Sequence, residues 1–378
     1  GTETEVSVPG TLGGKSVSGI GESAFGQNGT IEKVTLPASV TSIQYMSFYG
    51  CTNLKNVELS GNNLKTIEDK AFFSSGLTEF AAPSVETVGA EAFRGCSDLE
   101  SVVFGTQLRF LGEYAFQYSG IRSIQISESI LLRIENGTFS GCNNLSQIKL
   151  PNGVKSIGDS AFSGSGLEMI QIPDSVEAIG GWAFYYCQKL TTIELPNSLK
   201  RIGERAFGST GLVVVVIPDS VVELGREAFS GCQKLSSATI GNGVAVVGAR
   251  AFENCALTTL TIGGRVEVID SFAFAENREL SKVVIPQHVT RLEYATFVDC
   301  EAFADITFPE TLTKIEGRAL DGTAWYANQA DGVVYAGKVL YRYKGDMPAE
   351  TSVKIQDGTK GIAAFAFYEC KNLREIEI

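Results

Sequence analysis

The chain is poor in the side chains that usually carry chemistry. Among 378 residues there is one histidine, His288, with three Met and two Trp. A general base needs a nucleophile or an orienting carboxylate within reach. The sequence around His288 supplies neither, so it reads as a solvated side chain on a polar rim. No nucleophile, phosphate-binding glycine loop or paired-acid constellation rises above the background pattern, which points away from an enzyme and from any cofactor. No apolar run approaches the ~18 residues of a membrane span. Basic residues are outnumbered, 31 Lys and Arg against 43 Asp and Glu, for a net charge of −12. That argues against a nucleic-acid partner, which needs a basic surface to displace phosphate counterions, and against an anionic membrane surface. No leader segment is visible. The chain starts at Gly1 rather than Met, so its natural start is expected to have been removed, and its location cannot be read from the N-terminus.

What is present is repetition. Apolar residues are 44% and charged residues 20%, the balance of a folded chain rather than a disordered one. This length would ordinarily divide into domains, but a repeat array grows by stacking and escapes that prior. Residues 190–207 read LTTIELPNSLKRIGERAF, with apolar Leu190, Ile193, Leu195, Leu199, Ile202, Ala206 and Phe207. The same frame returns over residues 212–229 and 167–184. Its marker, Ala-Phe or a near equivalent, falls at Phe25, Phe48, Phe72, Phe93 and on through Phe297, then Leu320 and Phe367. Steps run from 21 to 24 residues up to Leu320, followed by one of 47. The gap from the marker to the next strand Leu alternates between six and five residues, so a pair of repeats forms a longer unit.

Each repeat reads L-x-x-I-x-I-P-x-S-V-x-x-I-G-x-x-A-F-x-G-C. Alternation in L-x-x-I-x-I predicts a strand with one buried face. Pro151, Pro173, Pro196 and Pro218 stop that strand, because Pro cannot donate to a ladder. V-x-x-I predicts a second short strand or extended corner. Gly158, Gly180, Gly203, Gly225 and Gly248 suit a tight turn. Ala-Phe predicts a short helical turn with Phe plugging the core. Val6 and Val8 enter in mid-pattern and residues 373–378 stop inside a strand. Neither end shows the polar cap that a repeat array needs, so the natural protein is expected to be longer. Residues 321–347 break the rhythm. Val333–Tyr335 and Val339–Tyr341 flank a Gly337 turn, a hairpin signal, so an irregular hairpin bearing Tyr335, Tyr341 and Tyr343 should project from the array or cover it.

Candidate sites follow from the register. The eight Cys, at 51, 96, 142, 187, 232, 255, 300 and 370, all lie three residues after a marker Phe. Other repeats place Ser75, Ser119, Ser165, Thr210 or Asn277 there. Most Cys are two rungs apart, hence roughly 10 Å, beyond the ~7 Å that a disulfide tolerates. Only Cys232 and Cys255 occupy neighbouring rungs. Buried free thiols are therefore expected, and no four ligands cluster for a metal. Glu22, Asp69, Glu113, Asp159 and Glu204 recur after the Gly turn. They would form a cation stripe or, more simply, face the N–H groups of a short helical turn. The outward strand positions form the expected binding face, on the concave side. Two of them, Val214 and Val216, place apolar side chains outward on one strand, as partner sites and plain strand propensity both do. Trp182, Tyr185 and Tyr186 crowd one turn edge, with Tyr118 some repeats away, and could stack on sugars or pack turn against turn.

The frame resembles the BspA-type leucine-rich repeat, also described from a treponemal surface protein. The likeness covers essentially the whole chain, and the A-F and G-C elements set it apart from other leucine-rich repeats. It implies one leucine-rich-repeat domain over residues 1–378, a curved right-handed parallel β stack of about 15 repeats of about 23 residues. It further implies a non-enzymatic bacterial protein, exported to the cell surface, that binds other proteins and adheres to host matrix. The family offers no catalytic set, cofactor or metal ligands to carry over. The alternative reading is a glycan-binding surface module that uses the aromatic edge; a spacing scaffold is a weaker third.

Overall fold

The computed structural model describes residues 4–126 and 128–378. The chain falls into two compact units, Gly1–Ser198 and Leu199–Ile378. Each is a parallel β-solenoid with three edges per repeat.

The first edge is the L-x-x-I-x-I strand. Alternation places every second side chain inward, as in Glu79–Ala82 and Val214–Ile217, which read exposed, buried, exposed, buried. Proline then ends the strand, and its carbonyl closes a turn onto the Val three residues on. Val176 N donates to Pro173 O at 3.0 Å and Val221 N to Pro218 O at 3.1 Å. The second edge is the short V-x-x-I strand. In the first unit it runs as a parallel ladder from Gly19–Ile20 through Ser42–Ile43, Thr66–Ile67 and Thr87–Val88 to Phe110–Leu111, breaks, and resumes from Arg133–Ile134 through Ser156–Ile157 to Ala178–Ile179. In the second it runs from Arg201–Ile202 to Lys314–Ile315.

The third edge corrects an expectation. The Ala-Phe segments are not helical turns. Among the described residues the one α-helix is Ala324–Ala327, outside the regular repeats. The residues two before and two after the marker Phe adopt left-handed backbone, as at Met46 and Gly50 or Glu227 and Gly231. This makes alternate N–H groups point in different directions. Tyr49 N and Cys51 N close turns within their own repeat, while Phe48 N and Gly50 N donate to Ala71 O and Phe73 O of the next. A helix would spend every N–H internally and leave none for the neighbouring rung.

Marker Phe rings stack inside each unit. From Phe25 to Phe184 neighbouring centroids lie 5.1–5.7 Å apart with planes within 14°. The same ranges hold from Phe207 to Phe297. Such offset stacks add to the burial of each ring.

The first edge is interrupted where the other two persist. In the first unit Ser123–Gln125 and Gln147–Lys149 belong to different sheets, and in the second Thr259–Thr261 and Lys282–Val284 do. Residues 191–195, within the stretch that states the repeat most plainly, form no strand. The buried face that alternation predicts is incomplete at such places: Ile124, Ile193 and Leu195 are only half-buried.

Residues 321–347 do form the expected hairpin, Gly332–Ala336 antiparallel to Val339–Lys344. It covers rather than projects. Its second strand pairs in parallel with Gly361–Ile362, and Val334, Leu340 and Tyr341 are buried. The Tyr341 hydroxyl donates to Asp321 Oδ1 at 2.7 Å, and Arg342 pairs with the same carboxylate at 3.0 Å. A second, small hairpin, Thr11–Leu12 with Lys15–Ser16, turns through left-handed Gly13 and Gly14 near the start of the chain. The Gly-Gly pair is its sequence signal.

Candidate functional site

In the second unit the outward residues of three paired strands lie side by side. Val214 and Val216 stand in register with Ser237 and Thr239, which stand in register with Thr259 and Thr261. None carries charge. Val214 is 49% exposed and Val216 58%, so two branched apolar side chains meet water where the pleat could have held polar ones. The ladder then stops. A cavity of about 740 Å³ opens beside the interruption, lined by Thr259, Thr261, Lys282, Val284, Gln287 and His288 among others. The charge at its margin is offset, because Lys282 pairs with Asp305 at 2.7 Å.

His288 is exposed, as expected, but its ring is held: Nδ1 lies 2.6 Å from Gly264 O. A carbonyl only accepts, so Nδ1 carries the proton. This is the repeat's ordinary bond at that slot. Ser175 and Thr311 donate from the same slot to Asn152 O and Gln287 O.

The first unit has a comparable cavity of about 670 Å³ at its own interruptions, lined by Gln147, Lys149, Met169, Gln171 and Glu194 among others. Its lining carries both signs of charge.

The aromatic edge lies in the first unit. Tyr185 and Tyr186 rings are 6.3 Å apart and tilted by 35°. Trp182 and Tyr185 are half-buried, and Tyr186 is exposed. Trp182 and Tyr186 occupy the two left-handed positions of their turn. Tyr114 and Tyr118 hold the same two positions in an earlier repeat, and there the packing role is plain. A Cβ at Gly137 would sit 2.2 Å from Tyr114 Cδ1, and one at Gly141 2.4 Å from Tyr118 Cδ1. Each ring lies over a left-handed glycine of the next rung, so a side chain there would have to displace it.

Three of the five acidic residues after the Gly turn bond across rungs rather than at a helix start, Glu113 Oε1 accepting from Asn136 Nδ2 at 2.9 Å. Asp69 Oδ1 accepts from Ala90 N at 2.7 Å, and Asp159 Oδ1 from Gly181 N at 2.7 Å. Among the described residues no three His, Cys, Asp or Glu side chains come together to hold a metal ion.

Seven of the eight thiols are buried; Cys370, expected inside, is only half-buried. The slot has a defined partner. Cys96, Cys142, Cys187 and Cys232 donate to the carbonyl of the preceding marker, Phe72, Phe116, Phe162 and Phe207, at 3.0 Å. Asn277 Nδ2 makes the same bond to Phe252 O at 2.8 Å. Burial pushes the Cys96 and Cys187 thiols up to about 11 and those of Cys142 and Cys300 up to about 12, so they stay protonated and unreactive near neutrality.

No helix among the described residues is long and apolar enough to cross a membrane. No protein with a curated description matches the chain. A leucine-rich repeat protein from Bacteroides ovatus shares the fold at a TM-score of 0.66, with 23% identity over 95% of this chain and 91% of that one. A leucine rich cell surface protein from Faecalibacterium prausnitzii aligns at a TM-score of 0.47, with 25% identity over 85% of this chain and 86% of that one. The model of the BspA type leucine rich repeat region matches residues 18–132, 111–236, 209–325 and 345–378. The chain belongs to the BspA type leucine-rich-repeat family.

Proposed function

We propose that this chain is a non-enzymatic, exported surface module that binds another protein, with host matrix proteins as the partner class, through the strand face of its second unit. The observation that carries this reading is the uncharged strip of Val214, Val216, Ser237, Thr239, Thr259 and Thr261 beside a cavity. Exposed apolar side chains on a flat β face lose water when covered, at about 25 cal/mol per Å², and nothing charged in the strip must be desolvated. Surface display rests on family membership. The net charge of −12 means that a basic partner would associate faster at low salt.

The test is binding of purified matrix proteins to the wild type and to a Val214→Lys, Val216→Lys double variant, with the fold of each checked by circular dichroism. Loss of binding in the variant is the expected result. Equal binding by both removes this face from the site. A second reading, glycan binding, is favoured by one observation: Tyr186 stands 53% exposed beside Tyr185. Binding to glycans but to no protein, lost in Trp182→Ala, would replace the first reading with the second.

A further inference from the structure

We infer that Cys232 and Cys255 form a disulfide-forming site, a covalent clamp between two adjacent rungs of the second unit, closed by a small-molecule disulfide as oxidant. The slot three residues after the marker alternates elsewhere so that two sulfurs never meet. Ser75 precedes Cys96, Ser119 precedes Cys142, Ser165 precedes Cys187 and Thr210 precedes Cys232, each hydroxyl lying 3.2–3.6 Å from the thiol on the next rung. The alternation fails once, where Cys255 takes the place that Ser holds in the equivalent rungs, directly after Cys232.

The backbone brings the pair into range. Phe229 N donates to Ala251 O and Gly231 N to Glu253 O, both at 2.8 Å, so the two turns run flush up to the residue before each Cys. Neighbouring ladder strands lie about 5 Å apart, inside the 4.4–6.8 Å Cα window of a disulfide. The side chains aim the same way, since Cys232 Sγ reaches Phe207 O at 3.0 Å and Cys255 Sγ reaches Phe229 O at 3.2 Å.

The chemistry balances. One thiolate attacks the small disulfide, forming a mixed disulfide and releasing one small thiolate. The second protein thiolate attacks the protein sulfur of that mixed disulfide and releases the other. Two S–H bonds become one S–S bond, and the two electrons leave with the small disulfide as two thiols. Cys232 is fully buried and Cys255 is 6% exposed, so there is no room for the mixed disulfide in the closed stack. Exchange therefore runs during folding or local opening of these rungs. The cross-link closes a loop of one repeat and restricts the unfolded chain.

The experiment treats the full chain with oxidised glutathione in two arms, native and during refolding, then alkylates free thiols and maps the peptides by mass. The expected result is one cross-linked peptide pair, 232 with 255, lighter by two hydrogens, with the other six thiols alkylated. Thermal unfolding should move up by several degrees and return on reduction. Cys255→Ser, which installs the residue that Ser75, Ser119 and Ser165 place in this slot, should fold and show no cross-link and no thermal shift. Full alkylation of both Cys232 and Cys255 in both arms would overturn the inference. So would a stable glutathione adduct on either one, or a cross-link through any other Cys.

Discussion

The strand faces of the two units share one backbone plan and present different surfaces. In the first unit the outward positions include Lys33, Glu58, Glu79, Lys149 and Glu194, with Lys33 and Glu58 paired at 2.8 Å. In the second they are Val214, Val216, Ser237, Thr239, Thr259 and Thr261 before the first charge, Lys282, is met and offset by Asp305. Inside, the two are alike: the same Phe stack, the same Pro-x-x-Val corner, the same thiol or amide on a Phe carbonyl. The interior is constrained by stacking, since every rung must match the one before it. The outward positions carry no such constraint, and whatever distinguishes the two units as surfaces is written there.

The largest test of this likeness inside is removal of a stacked ring. Phe116→Ala in the first unit and Phe207→Ala in the second should each cost roughly 3–5 kcal/mol, measured by chemical denaturation. A much smaller cost in one unit would break the equivalence of the cores. Next comes the thiol slot. A buried thiol held protonated in the folded state stabilises fully below its unfolded pKa, about 8.5. That contribution is lost as pH rises through the folded values of about 11 for Cys96 and about 12 for Cys142. Within this window each thiol should remove about 1.4 kcal/mol per pH unit. Cys142→Ser, which cannot ionise, should flatten the alkaline loss of stability in proportion.

A comparison of the outward faces should show a similar size of effect in binding. The Val214→Lys, Val216→Lys variant should bind its protein partner at least about tenfold more weakly, equivalent to about 1.4 kcal/mol. Glu79→Lys with Ala81→Lys, the matching pair in the first unit, should leave binding within about twofold if only the uncharged face engages. Equal losses from both pairs would show that both faces contribute. The smallest effect should come from the cross-rung carboxylates. Asp159→Ala removes the acceptor of Gly181 N and should cost about 1 kcal/mol, read by thermal unfolding.

Much of this was legible from spacing. Alternation located the strands and their buried faces, Pro located the corners, and Gly337 between Val- and Tyr-rich segments located the hairpin. The turn edge was not legible, because Ala-Phe-x-Gly fits both a helical turn and a left-handed turn. Only the ladder between rungs selects the second. The partner of the thiol slot was equally hidden. A small polar residue was visible at each position, but the carbonyl it meets lies one repeat back. The exposed pair Val214 and Val216 could be found by counting alternation. Their setting, an uncharged strip ending at an interrupted ladder, could not.

The sequence by itself determined which side chains face inward, because a period of two in the strand and a repeat of about 23 residues leave one consistent assignment. It also determined that Cys232 and Cys255 stand on neighbouring rungs. The tertiary structure alone decided where neighbouring strands come within hydrogen-bond reach. Residues 190–195 have the strand pattern in full, yet residues 191–195 form no strand. An inward-outward pattern records burial, which is a property of one strand. A ladder depends on the distance between two, and that distance is set by how the packed side chains of each rung fill the space between its three edges.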